Sequence, residues 1–118
     1  MKGIMIMADF DWIHSYPHCV TVCDTEGIII AMNETSVEHF KKYGGEKLIG
    51  SSLFSCHQES ANVLIREQLA NQSASTYMTA SKEKKRLISQ VPWYSGTTFG
   101  GMVETVIELP DDMPVKKR

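Results

Sequence analysis

The sequence predicts one α/β domain of the α+β kind, with a helical middle between two groups of strands. Three observations carry that reading. Apolar residues gather in two short runs, 19–22 and 28–30, on either side of an Asp24-Thr25-Glu26-Gly27 turn, which is the pattern of a hairpin. A single longer helical stretch lies in the middle of the chain, at 59–69. Three strand-like runs then close it, at 75–80, 86–93 and 101–109. A chain of 118 residues holds one core and not two.

The elements follow in order. Residues 8–16 place Asp9 and Asp11 ahead of Trp12 and Ile13, and acidic residues suit the positive end of a helix. A short helix ending before Pro17 is therefore expected. Val20 and Val22 mark the first strand, Gly27 supplies the positive φ of the turn, and Ile28-Ile29-Ile30 returns. Asn33 stands where a side-chain cap should open the next helix, with Val37 and Phe40 on its apolar face. Gly44-Gly45 should end that helix in a left-handed cap. One more helical turn is expected at 46–49, closed by Gly50. In the long helix, Ala61, Leu64, Ile65, Gln68 and Leu69 form the expected inner stripe. Polar residues 81–84 turn the chain between the first two of the last strands, and Ser95-Gly96-Thr97-Thr98 breaks it before the final one.

Composition removes several function classes. The chain is 42% apolar and 22% charged, an ordinary globular balance that argues against disorder. Its net charge of −2 gives no bulk attraction to nucleic acid or to an anionic membrane. The longest apolar runs, Ile4-Met5-Ile6-Met7-Ala8 and Ile28-Ile29-Ile30-Ala31-Met32, fall far short of the roughly 20 residues that span a bilayer. A soluble cytoplasmic protein is expected. Cys19 and Cys23 lie about 13 Å apart on a strand, beyond the roughly 7 Å that a disulfide allows. Together with Cys56 they read as reduced thiols, a cytosolic sign.

Taken together, the order and the local signals resemble a PAS domain over about residues 10 to 109. Asp24-x-x-Gly27 turns the first hairpin, Asn33 caps the following helix, and Gly44-x-x-x-Leu48-Ile49-Gly50 leads into a belt of short helices. Cys56-His57-x-x-Ser60, just before the long helix, is similar to the sensory-box group of that family. The resemblance implies a five-stranded antiparallel sheet of strand order 2-1-5-4-3, with helices on one face. It also implies a sensor or dimerisation module that passes a local change to an output domain or partner. On this reading residues 1–9 are an extension, 10–109 the domain and 110–118 a tail or linker.

Specific cofactor chemistries of the family meet poor matches. Its light-sensing branch carries a reactive cysteine, in an Asn-Cys-Arg-Phe-Leu-Gln run, three residues after the glycine that ends the short helix. That position is Leu53 here, and Cys56 comes three residues late, so a flavin adduct is not expected. The haem-binding branch uses a histidine on the long helix, which has none here; His57 precedes it and His39 lies earlier, beside Phe40. Haem through His57 is disfavoured. His14, His18, Cys19, Cys56 and His57 show no metal-site spacing, and Pro17 breaks any helix that would align the first two. Gly45-Glu46-Lys47-Leu48-Ile49-Gly50 imitates a phosphate loop, but Ser51-Ser52 replaces the required Lys-Ser/Thr, and no G-x-S-x-G occurs. Lys82 to Arg86 is basic but falls at a hairpin, where a solvated turn accounts for it.

An apolar pocket remains. Alternation on the fourth strand puts either Leu87, Ser89, Val91 and Trp93 toward the helices or Ile88, Gln90 and Pro92. The first set is the more apolar and is preferred. Phe40, Leu53, Leu64, Tyr77, Met78, Met102 and Val106 join it, with His57 at its edge and Glu104 in phase with Met102 and Val106. These residues either fill a plain core or enclose a ligand. The expected function is a non-catalytic module that binds a small molecule in this pocket or a protein partner. The rival is a small isomerase-like enzyme using Glu104 or Tyr77 as acid or base.

Two terminal features bear on partners. The family commonly ends its last strand with an Asp-Ile/Val-Thr run that couples to an output helix. Here Val106-Ile107-Glu108-Leu109 runs into Pro110 and then Pro114, which oppose a continuous helix. A stand-alone domain or a piece of a longer signalling protein is expected. Ile4, Met5, Ile6, Met7, Phe10, Trp12 and Ile13 crowd seven large apolar residues into ten positions. One helix face needs fewer, so a homodimer through this segment is expected. Neither nucleic acid nor membrane is an expected partner.

Overall fold

The computed structural model describes residues 11–55 and 59–118. Strand β1 (Cys19–Cys23) and strand β2 (Ile29–Met32) form the first hairpin, followed by helix α1 (Glu34–His39). Three 3-10 turns, Lys41–Tyr43, Gly45–Leu48 and Leu53–Ser55, make a belt that leads to helix α2 (Glu59–Asn71). Strands β3 (Ser75–Ala80), β4 (Lys85–Ser95) and β5 (Thr98–Leu109) complete one antiparallel sheet in the order β2-β1-β5-β4-β3, as the resemblance implies.

Local chemistry explains the hairpin. Asp24 Oδ1 accepts from the backbone N–H groups of Glu26 and Ile28, both at 2.9 Å, and Gly27 takes φ 80°. The Phe54 ring lies over Gly27 so closely that an added Cβ would come within 2.8 Å of it. The turn thus needs glycine for conformation and for space. The belt is tied to the hairpin as well: Gly50 N–H donates to Ile29 O at 2.7 Å, and Ile29 N–H donates to Ser51 O at 2.9 Å. These bonds cover the open edge of β2, which would otherwise be left to pair with another chain.

Three expectations are corrected. Of the helix expected at 8–16, residues 8–10 lie outside the described residues and 12–15 form a turn, with no helix over 11–16. Asp11 Oδ1 takes the His14 N–H, and the His14 carbonyl accepts from Glu34 N–H at 3.2 Å rather than from within a helix. Helix α1 ends at His39, ahead of Gly44-Gly45; Gly44, at φ 125°, instead separates two 3-10 turns, and Gly45, at φ 56°, opens the second. On β4 the inward register is the one set aside. Ile88 is buried and pairs with Val106, Gln90 pairs with Glu104, and Pro92 pairs with Met102. Directly paired residues share a face, so the buried positions of β5 dictate those of β4, and Leu87, Ser89 and Val91 alternate away. Cys19, Ile88 and Val106 cluster at the centre of the core.

Candidate functional site

A cavity of about 300 Å³ opens between the sheet and the helices. Strand residues form its floor: Thr21 and Cys23 from β1, Ile29 and Met32 from β2, which a bulge in the β1–β2 pairing sets opposite them, Gln90 from β4, Met102 and Glu104 from β5. Phe40, Tyr43, Leu48 and Leu53 form the belt wall, and α2 closes the other side with Ile65 and Gln68. The surface is mostly apolar with a few polar groups, the usual make-up of a small-molecule site.

Those polar groups are arranged unevenly. Gln90 Nε2 donates to Glu104 Oε2 at 2.8 Å. Thr21 Oγ1 shares a hydrogen bond with Ser36 Oγ behind it. Gln68 Nε2 is buried and has no partner among the described residues. Burial pushes the Cys23 thiol above its ordinary pKa, and the charges of Asp24 and Glu104 add to the rise, so the thiol is neutral and a poor nucleophile. The Cys19 thiol is raised for the same first reason. Both are free.

Of the residues expected in the pocket, Phe40, Leu53, Met102 and Glu104 come together on its wall. Val106 is buried but lines a second cleft with His18, Glu34 and His39. Tyr77 pairs with Ile88 and so shares the helix-facing side, yet it stands outside the lining and is 44% exposed. Burial raises its phenol pKa, with the Glu104 charge adding to this and a hydrogen bond to Gln90 offsetting it. Met78 and Leu64 are exposed. Leu64 falls outside the inner stripe because it precedes Ile65 by one residue, about 100° of helix rotation, and Asn62 is buried instead. Leu87, Ser89 and Val91 are displaced by the register of β4. Trp93 lays its ring against Gly100 and donates its indole N–H to Cys23 O at 2.9 Å. His57 lies outside the described residues.

Four of the lining residues that sequence reasoning missed lie on the hairpin, Thr21, Cys23, Ile29 and Met32; the others are Tyr43, Leu48, Ile65, Gln68 and Gln90. Period-two alternation along β1 was the available signal for the first two. Gln90 follows from its pairing with Glu104, which a single sequence does not display. Among the described residues, no three His, Cys, Asp or Glu side chains gather so as to hold a metal ion, and no helix is long and apolar enough to cross a membrane.

A family model described as the PAS fold matches residues 13–89. Several solved structures share the architecture. The Aer2 receptor of Vibrio cholerae, described as a dual PAS-haem oxygen sensor, aligns at TM-score 0.59 and 12% identity, covering 79% of this chain and 95% of that one. A sensory box sensor histidine kinase from Vibrio cholerae aligns at 0.58 and 18% identity, covering 80% and 84%. The PAS domain of the histidine kinase ThkA aligns at 0.62 and 16% identity, covering 76% and 98%. Identities this low speak to the fold alone. No curated protein matches the sequence significantly.

Proposed function

The chain belongs to the PAS fold family, and on that premise we propose that it is a non-catalytic sensory module in which a small molecule in the cavity alters how the domain meets a signalling partner or output domain. PAS domains are sensory signalling modules of kinases and receptors, as with the histidine kinases it is similar to. The observation that carries the reading is the 300 Å³ cavity, apolar over most of its wall and placed between sheet and helices. A plain core would have closed it, since protein interiors pack with few voids larger than a water molecule. The functional unit is residues 10–109, flanked by an extension and a tail, and its setting is the cytoplasm.

The enzymatic alternative draws less support. Glu104 accepts from Gln90 at 2.8 Å, and among the described lining residues no histidine or second carboxylate stands by to return the proton that a general base would take. Tyr77 stands outside the cavity lining, and its raised pKa keeps it protonated. Native mass spectrometry with an absorbance scan of freshly purified protein tests the proposal. A mass excess from a small organic molecule, without haem or flavin bands, is expected. Turnover of a substrate that fails in Glu104→Gln would replace this reading with the enzyme.

Homodimerisation belongs to the same proposal. Trp12 and Ile13, at the described end of the apolar N-terminal segment, are 50% and 37% exposed, which leaves apolar surface for a second copy to cover. Light scattering on the full chain and on a chain lacking residues 1–13 decides the point. The full chain should be dimeric and the truncated one monomeric; two monomers at tens of micromolar end the dimer hypothesis.

A further inference from the structure

The chemical class of the ligand follows from the charges and hydrogen-bonding groups of the wall, and this step rests on the ligand-binding reading above. Among the described residues the cavity lining holds one carboxylate, Glu104, and no lysine, arginine or histidine. Gln90 uses one of the acceptor positions on that carboxylate; a carboxylate offers about four. Across the lining, Gln68 brings a buried amide N–H₂ that has no partner among the described residues.

Each of these groups selects. A ligand carboxylate or phosphate would bring a second negative charge beside Glu104 with no cation to compensate either, and an uncompensated buried charge is among the most costly things a site can hold. An N–H donor would instead fill the open acceptor positions of Glu104. A carbonyl or ring-nitrogen acceptor would satisfy Gln68, whose desolvated N–H groups otherwise remain a standing penalty. The volume, about 300 Å³, sits at the lower end of the range for small-molecule sites. We propose that the cavity takes a small apolar molecule with an N–H-bearing head group, an amide or amine, and rejects anionic ligands. A site that recognises polar hydrogens can discriminate by orders of magnitude, because the wrong head group leaves its own buried groups unpaired.

The test uses four probes of nearly equal size on the full chain at neutral pH: benzamide, benzylamine, benzoate and toluene, titrated against amide resonances to obtain Kd. The better of benzamide and benzylamine should bind at least tenfold tighter than benzoate. In Glu104→Gln, which retains a partner for Gln90, that ratio should fall below tenfold. A wild-type ratio under tenfold, or a ratio unchanged in the variant, overturns the inference. Toluene binding without discrimination among head groups sinks this inference and leaves the cavity reading standing. Binding by none of the four, toluene included, sinks the cavity reading and this inference with it.

Discussion

The two walls of the cavity are built to different standards. On the side of β1, β2 and α1, Asn33 is 1% exposed and every polar atom it owns is used. Its Oδ1 accepts from Val20 and Ser36 N–H at 3.0 and 2.9 Å, and its Nδ2 donates to Tyr16 O and His18 O at 3.2 and 2.8 Å. Its backbone N–H reaches Val20 O and its carbonyl accepts from Val37. One side chain thus fastens the helix, the strand and the segment before the strand. On the side of α2 and β3 the picture reverses. Val63 and Leu64 are 46% and 61% exposed, Met78 on edge strand β3 is 58% exposed, and Asn62 Oδ1 and Gln68 Nε2 are buried without partners among the described residues. On the proposed function, this contrast marks where a ligand's signal would start. Stability is distributed unevenly in a fold, and a ligand shifts only what its own differential contacts reach. The tied wall is the reference, and the under-satisfied wall is the part with something to gain.

The largest effect should come from cutting the tied wall. Asn33→Ala removes the helix cap and leaves buried donors and acceptors unmatched, a loss of about 3 kcal/mol in urea unfolding. A loss below about 1 kcal/mol would put the two walls on a level and remove the contrast. Next comes Gly101, at φ 140° where β5 meets β1; an added Cβ would run into the Cys23 carbonyl and the Asp24 backbone. Gly101→Ala should cost about 2–3 kcal/mol by the same assay, and an unchanged midpoint would show that this junction has slack.

The buried thiols of β1 give a pH signature to the tied wall. Cys19 and Cys23 have folded pKa values raised above the ordinary thiol value, chiefly by burial. The unfolded chain therefore loses these protons first as pH rises. Their contribution is fully present below about pH 8.5 and is lost as pH climbs toward the folded values. Unfolding free energy should fall above that pH, and Cys23→Ala should flatten part of the slope whatever it does to stability at neutral pH. A slope identical in the variant would place the titration elsewhere. The smallest effects belong to the loose wall. Gln68→Leu removes an amide whose N–H₂ has no partner among the described residues and should shift stability by no more than about 1 kcal/mol, upward if at all. Leu64→Ser, on an exposed face, should stay within about 0.5 kcal/mol. A larger loss from either would mean that α2 is fastened as firmly as α1.

What the sequence determined by itself lies within a few residues of the groups responsible. The Asp24–Gly27 turn and the Asn33 cap act over two to four positions, and the bounds of β3 coincide with the run read from composition. The resemblance rests on these same punctuating residues, and it carried the strand order that none of them encodes singly. The remaining features depend on partners distant in the chain. The face of β4 depends on Met102 and Val106 of the paired strand, since Leu87, Val91 and Ile88 are all apolar enough to enter a core. The early end of α1 and the non-helical turns at 11–16 depend on contacts outside each segment, such as Glu34 N–H to His14 O. The cavity itself is the clearest case. It is a volume left among the hairpin, the belt, α2 and three further side chains on β4 and β5, and an empty volume belongs to no residue until all of its walls are in place.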